Sequence, residues 1–132
     1  MQAFEAHAID YLLAAERAQR EKKGIERLVV STTEGRLAIP VTEIDWIAAD
    51  DYHARLHVGA KTHLLREPLS SLETRLDPSR FARIHRAAIL QLDRVKELRT
   101  TARGDEVILQ DGSRIPVSRR RRAVLDQLLR GR

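Results

Sequence analysis

From residue 25 onward the chain consists of short apolar runs separated by turn signals, and this spacing constrains the fold more than any other feature. Short alternating runs are typical of half-buried strands, and pairs such as Glu34-Gly35 and Asp111-Gly112 mark the turns between them. The predicted strands are 27–32, 36–41, 43–48, 52–58, 61–66, 88–92, 95–101, 106–110 and 114–117. Only 68–76 and 119–130 return to helical spacing in this part, and 81–86 is interpreted as an irregular connection. The expected fold is mainly β, with antiparallel strands, one central helix and one C-terminal helix.

The first 24 residues have a different pattern. Phe4, Ala8 and Leu12 recur at helical spacing within 3–22, and Gly24 supplies a stop signal. We therefore expect two units, an N-terminal helix and linker over 1–24 and a β-rich domain over 25–132.

Composition narrows the class of protein. The chain has no cysteine, which excludes a disulfide framework and thiolate chemistry and fits a reducing cytoplasm. No apolar run approaches the roughly 20 residues that span a bilayer, and no secretory signal is present. The sequence also lacks a nucleophile–base group, a phosphate-cradling glycine loop and paired catalytic carboxylates. We expect a cytoplasmic protein that is not an enzyme, with no cofactor, no small-molecule substrate and no membrane partner.

Charge is distributed unevenly along the chain. Residues 1–79 carry 10 Lys/Arg and 13 Asp/Glu, a net −3, whereas residues 80–132 carry 14 and 6, a net +8. A local basic patch of this kind attracts polyanions, of which nucleic acid is the first candidate and an anionic membrane surface the second. The alternative is a solvated basic face that keeps the protein in solution.

Four consecutive arginines, Arg119, Arg120, Arg121 and Arg122, occupy the predicted first turn of the last helix, after Ser118 as a candidate N-cap. Cations at a helix N-terminus are disfavoured by up to about 1 kcal/mol each, and a bound anion reverses that effect. Guanidinium groups also match phosphate oxygens. The pattern therefore favours contact with DNA over a solvated turn.

Two further groups can project basic or imidazole side chains. Arg83, His85 and Arg86 are expected to point outward from the irregular connection, although His85 alone is more typical of a structural residue that bonds a loop carbonyl. His53 and Arg55 follow the Asp50-Asp51 turn.

A metal site is the alternative interpretation of the histidines in this region. His53 and His57 share a predicted strand face, and His63 could join them only across a hairpin. No nearby Asp, Glu or Cys completes a ligand set, and we expect no metal site here.

Several motifs in order resemble the LytTR family of DNA-binding domains. The stretch Phe81-Ala82-Arg83-Ile84-His85-Arg86 and the stretch Asp111-Gly112-Ser113-Arg114-Ile115-Pro116-Val117-Ser118-Arg119 resemble two of the family's motifs, and the match covers about residues 26–130. Ala87 and Gln91 replace the family's usual Ser and Asn. A lost hydroxyl or amide contact would retune recognition without affecting the fold.

The resemblance implies an elongated stack of short antiparallel β-sheets and a sequence-specific transcription regulator that binds double-stranded DNA. In the family, loops rather than a recognition helix enter the DNA grooves. The matched positions assign base or near-base contacts to five residues: His53, Arg55, His85, Arg86 and Arg119. Phosphate contacts are expected from four others: Arg83, Arg120, Arg121 and Arg122.

Residues 3–13 resemble the end of a response-regulator receiver domain, in which Asp-Tyr-Leu-Leu is followed by Lys-Pro, whereas Ala14-Ala15 follow here. This resemblance implies an output domain of a two-component system. Exposed apolar residues in the segment would favour a homodimer on repeated sites. The competing hypothesis is a protein-interaction module whose basic face binds an acidic partner.

Overall fold

The computed structural model describes residues 24–131, which form ten strands, two α-helices and two short 3₁₀ turns. The strands are β1 (Arg27–Thr32), β2 (Gly35–Pro40), β3 (Trp46–Asp50), β4 (His53–Val58), β5 (Lys61–Leu65), β6 (Phe81–His85), β7 (Ala88–Gln91), β8 (Val95–Thr101), β9 (Gly104–Leu109) and β10 (Arg114–Val117). The helices are α1 (Leu69–Arg75) and α2 (Arg119–Arg130), and the 3₁₀ turns are Val41–Glu43 and Leu92–Arg94. The mainly β fold with a central and a C-terminal helix, as predicted, is confirmed.

Residues 24–131 form three antiparallel sheets. The first is the β1–β2 hairpin, the second has five strands in the order β5-β4-β3-β7-β6, and the third has the order β10-β9-β8. Every pairing is antiparallel, in keeping with the short turns between neighbouring strands.

Within the five-stranded sheet, strand β7 is buried on both faces. Ile89 belongs to one apolar cluster, together with Leu28 of β1 and Leu72 of α1. Its neighbour Leu90 points to the other face and belongs to a second cluster, together with Leu125 of α2. Full burial of a leucine or isoleucine contributes about 1.5–3 kcal/mol, so the second cluster holds α2 and the three-stranded sheet firmly on one face.

Two predicted elements are corrected. The segment 81–86 was expected to be irregular, but Phe81–His85 is strand β6, with a bulge between Arg83 and His85. The strand expected over 43–48 instead spans Trp46–Asp50, after the Val41–Glu43 turn. The helix predicted over 3–22 and the receiver-like stretch over 3–13 lie outside the described residues.

Candidate nucleic-acid interface

Two turns lie at the same end of the five-stranded sheet. Ala48 of β3 pairs with Ala88 of β7, and the Ala49 N–H donates to the Ala87 carbonyl at 2.9 Å. The β3–β4 turn, closed by the pair Asp50 and His53, therefore lies beside the β6–β7 turn. Segments more than thirty positions apart in the sequence are thus brought together by the strand register.

The N-terminus of α2 joins this end of the sheet. The Ser118 N–H donates to the Ile84 carbonyl of β6 at 2.9 Å, and Leu125, about two helical turns further on, is 1% exposed in the second cluster. Together they hold the arginine turn beside the β6–β7 turn. An open cleft of ≈ 320 Å³ lies between them. It is lined by Arg83, His85, Arg86, Ser118, Arg120 and Arg121.

Arg83 does not project outward as expected from the sequence. Its side chain is 16% exposed, and its guanidinium donates to the carbonyls of His85 at 3.2 Å and Arg86 at 2.7 Å. A third contact reaches Oε2 of Glu73 on α1 at 3.1 Å. A half-buried guanidinium needs such partners, because an unpaired charge is costly away from water. Arg83 therefore holds the β6–β7 turn in place.

His85 presents a defined ring edge to the cleft. The Ala87 N–H donates to its Nδ1 at 3.1 Å, so Nδ1 is an acceptor and the proton of the neutral ring is on Nε2. The Nε2–H is a donor suited to a base edge or a phosphate oxygen. Arg86, at the tip of the same turn, is exposed. Ala87 contributes only its backbone N–H to this bond, so the missing family serine does not disturb the arrangement.

Gln91, where the family has asparagine, lies away from the cleft. It is 1% exposed, and its Nε2 donates to the carbonyls of Ile44 at 2.7 Å and Thr42 at 3.2 Å. These bonds tie β7 to the segment that precedes β3. The side chain therefore supports the sheet and makes no part of the candidate interface.

The β3–β4 turn carries an exposed aromatic side chain. Asp51 adopts a left-handed conformation with φ 56, which aspartate tolerates, and Tyr52 at the tip is 85% exposed. Arg55 bonds Asp50 at 2.6 Å and remains 43% exposed, and His53 is half-buried. By strand register His53 and Arg55 face the side of the sheet on which α2 packs.

The four consecutive arginines at the start of α2 divide into two pairs. Arg119 and Arg120 are exposed, and neither has an ion-pair partner within residues 24–131. Arg121 lies 3.7 Å from Oε1 of Glu73. Arg122 bonds Asp105 of β9 and also donates to Thr100 at 3.2 Å.

Two other features of α2 bear on anion binding. The bonds from Thr100 and Arg122 lower the pKa of Asp105, which keeps its carboxylate charged. Ser118 occupies the N-cap position as predicted, but its side chain makes no capping hydrogen bond to the helix. A bound anion can accept hydrogen bonds from the backbone N–H groups that an uncapped helix leaves free.

Sequence reasoning did not single out three residues of this end. Tyr52 follows the Asp50-Asp51 turn directly, and Arg103 is exposed at the β8–β9 turn, next to the strand end that Arg122 contacts. The position of Tyr52 and Arg103 beside turn signals could have indicated their exposure at this end. No sequence pattern marks Glu73, because its partners Arg83 and Arg121 lie on other elements.

The opposite end of the sheet is chemically different. Asp45 accepts from Arg94 at 2.8 Å and borders a cleft shared with Asp111. His57 stacks on Trp46 with ring centroids 4.1 Å apart and an interplanar angle of 5°. Burial, reinforced by the charge of Arg55, lowers the pKa of His57 and favours its neutral form.

The histidines of β4 and β5 are separated by the sheet. His63 pairs with Leu56, so it faces away from His53 and His57. Residues 24–131 contain no cluster of three His, Cys, Asp or Glu side chains placed to hold a metal ion. In the same part of the chain no helix has the length and apolarity needed to span a membrane.

A β-rich fold that gathers basic turns and a basic helix N-terminus at one end defines a nucleic-acid-binding class of domain. The family described as the LytTr DNA-binding domain matches residues 34–130. The chain belongs to the LytTR family of DNA-binding domains, and the resemblance inferred from its motifs is confirmed.

Similar proteins agree with this assignment. The chain is 25% identical to the sensory transduction protein LytT of Bacillus subtilis over 98% of this chain and 63% of that protein. It is 35% identical to the positive alginate biosynthesis regulatory protein of Pseudomonas aeruginosa over 74% of this chain and 40% of that protein. The chain therefore spans less than two thirds of the length of these relatives.

A solved LytTr DNA-binding domain from Bacillus cereus superposes with a TM-score of 0.71. The match covers 80% of this chain and 98% of that domain at 22% sequence identity, which establishes the fold.

Proposed function

We propose that this chain is the DNA-binding part of a transcription regulator and reads specific duplex sequences with the end described above. One observation carries the proposal: a single cleft is lined by arginines and a histidine that come from β6, the β6–β7 turn and α2. Phosphates supply affinity, and base edges supply sequence preference, so such a surface needs both exposed guanidiniums and directional donors.

The proposed contacts follow from which side chains are available. His85 and Arg86 on the β6–β7 turn line the cleft, and Arg119 is exposed at the start of α2. These three directional donors contact base edges or the adjacent backbone. His53 and Arg55 reach the duplex from the neighbouring β3–β4 turn, with Arg55 exchanging Asp50 for DNA.

Phosphate contacts are proposed for Arg120 and Arg121. Both line the cleft at the N-terminus of α2, where the helix dipole and the uncapped N–H groups also favour an anion. Arg83 and Arg122 were expected to bind phosphates as well. We propose positioning roles for them instead, since Arg83 is bonded to Glu73 and two carbonyls and Arg122 to Asp105.

The proposal includes the organisation of the chain. Residues 25–132 form the DNA-binding unit, and residues 1–24 form a separate N-terminal segment that mediates a homodimer on repeated sites in the cytoplasm. Deleting 1–24 is expected to abolish the dimer in analytical ultracentrifugation while leaving binding to a single half-site. A dimer that persists without 1–24 contradicts this part of the proposal.

Selection from a random duplex pool at about 100 mM salt tests the function, because affinities for DNA are meaningful only at a stated salt concentration. The wild-type protein is expected to enrich one recurring motif. His85→Ala and Arg86→Ala are expected to lose most of the preference for it. Arg114→Ala, which removes a 65% exposed arginine from β10 outside the cleft, is the matched control and should retain that preference.

Polyglutamate serves as the competing polyanion in the same assay. A protein that enriches no motif and binds polyglutamate as tightly as duplex DNA would contradict the proposal and favour an acidic protein partner.

A further inference from the structure

Glu73 of α1 places a carboxylate at the edge of the arginine-lined cleft. Its two oxygens contact arginines from two different elements, Oε2 with Arg83 of β6 at 3.1 Å and Oε1 with Arg121 of α2 at 3.7 Å. Leu69 and Leu72 of the same helix are buried in the first cluster, which fixes α1 against the sheet. The Glu73 carboxylate therefore holds a negative charge beside a cleft that is proposed to bind phosphates, and this charge opposes their binding.

The contact with Arg83 extends to the β6–β7 turn. The same guanidinium that binds Glu73 donates to the carbonyls of His85 and Arg86. Charge-assisted hydrogen bonds are stronger and more directional than neutral ones, so the carboxylate sets the orientation of Arg83. The orientation of Arg83 in turn sets the backbone that carries His85 and Arg86.

The contact between Glu73 and Arg121 is weaker than the contact between Glu73 and Arg83. At 3.7 Å it is an ion pair without a short hydrogen bond, and the Arg121 side chain is 44% exposed. Exposed pairs of this type contribute little to stability, so Arg121 can exchange Glu73 for a phosphate at small cost. Arg83, at 16% exposure with three bonds, stays with Glu73 during that exchange.

We propose that Glu73 is a positioning and specificity-determining residue for DNA recognition. Through Arg83 it fixes the turn that carries His85 and Arg86, and its charge lowers affinity for any backbone that does not engage that turn. Glu73 thereby increases the preference of the protein for its specific duplex sequence and lowers its affinity for unrelated duplexes. This inference rests on the proposed function, since it concerns how the same surface selects its duplex.

Glu73→Gln removes the charge and keeps the size of the side chain. Affinity for a shuffled duplex is expected to rise about threefold, because one repulsive charge near the phosphates is lost. The ratio of affinities for the selected and shuffled duplexes is expected to fall about tenfold, the effect of disturbing one base contact. Glu97→Gln is the matched control, since it removes the same charge from β8, where Glu97 pairs with Arg99.

Arg83→Lys provides an independent variant that keeps the net charge. One compact ammonium cannot bond Glu73 and both turn carbonyls as the guanidinium fork does. The ratio of the affinities for the selected and shuffled duplexes is therefore expected to fall about tenfold, with little change in affinity for the shuffled duplex. Urea unfolding followed by Trp46 emission checks that each variant is folded.

These measurements distinguish failure of the role of Glu73 from failure of sequence-specific DNA binding. Wild-type protein that shows no sequence preference would overturn both. If the wild-type protein discriminates and Glu73→Gln raises or lowers both affinities equally, as Glu97→Gln should, only the role of Glu73 is overturned. An unchanged ratio in Arg83→Lys overturns it as well.

Discussion

Arg120 and Arg122 lie in the same turn of α2 but differ in what they contact, so replacing each by alanine separates DNA contact from internal support. Arg120 is exposed and lines the cleft, with no ion pair among the described residues. Arg122 is bonded to Asp105 and Thr100 of the third sheet. Removal of Arg120 should weaken binding to every duplex, whereas removal of Arg122 should mainly destabilise the docking of α2.

The expected salt dependence follows from the number of proposed phosphate contacts. Two arginines at the N-terminus of α2, Arg120 and Arg121, are exposed, line the cleft and are proposed to bind phosphates. Two phosphate contacts predict a slope of about −1.8 for the logarithm of affinity against the logarithm of salt concentration, which is about a 12-fold loss of affinity between 50 and 200 mM salt. With Arg120→Ala the slope should be about −0.9 and the loss about 3.5-fold.

Fluorescence anisotropy of a labelled duplex, titrated at several salt concentrations, measures these slopes. Arg122→Ala should keep the wild-type slope and lower the urea midpoint of the free protein. The reasoning is refuted if Arg122→Ala reduces the slope as much as Arg120→Ala does, or if Arg120→Ala leaves the slope unchanged.

Three further predictions concern recognition, packing and pH. Arg119→Ala is expected to broaden the motif recovered from a random duplex pool; recovery of an unaltered motif would remove Arg119 from the base-contacting set. Leu125→Ala is expected to lower the free energy of unfolding by about 3 kcal/mol, because it leaves a cavity in the second cluster. Val124→Ala, at 52% exposure, is its control and should cost less than about 0.5 kcal/mol in the same urea titration. The lowered pKa of His57 means that the folded state binds its proton less readily than the unfolded state, whose pKa is near 6.5. The stability that His57 contributes is therefore full above about pH 6.5 and is lost as pH falls below it. The difference between wild type and His57→Gln in urea titrations from pH 7.5 to 5.5 measures this loss, and parallel curves would contradict it.

Strand positions were largely predictable because local patterns determine them. The turn signal Asp111-Gly112 lies between β9 and β10 in the structure as well, and Asp51 of the other signal lies between β3 and β4. The strand β6 was missed because Phe81 and Ile84 are both buried but three positions apart, which breaks the alternation of a strand. The bulge between Arg83 and His85 and burial on both faces of the sheet explain that spacing.

The candidate interface was predictable in its residue types but not in its internal bonds. Four arginines at a helix N-terminus and an Arg-x-His-Arg stretch are visible in the sequence. Their proximity depends on the register of β3, β6 and β7, which no local pattern encodes. The carboxylates of Glu73 and Asp105 decide which arginines remain available, and these pairings join elements that are distant along the chain.

Backbone amide chemical shifts, recorded by NMR while the selected duplex is added, test most directly whether this end of the molecule binds DNA. The largest changes are expected in three segments, namely the β3–β4 turn at 50–53, the β6–β7 turn at 85–87 and the first turn of α2 at 118–122. Changes concentrated instead around Asp45, Gly59 and Asp111 at the opposite end of the sheet would contradict the account.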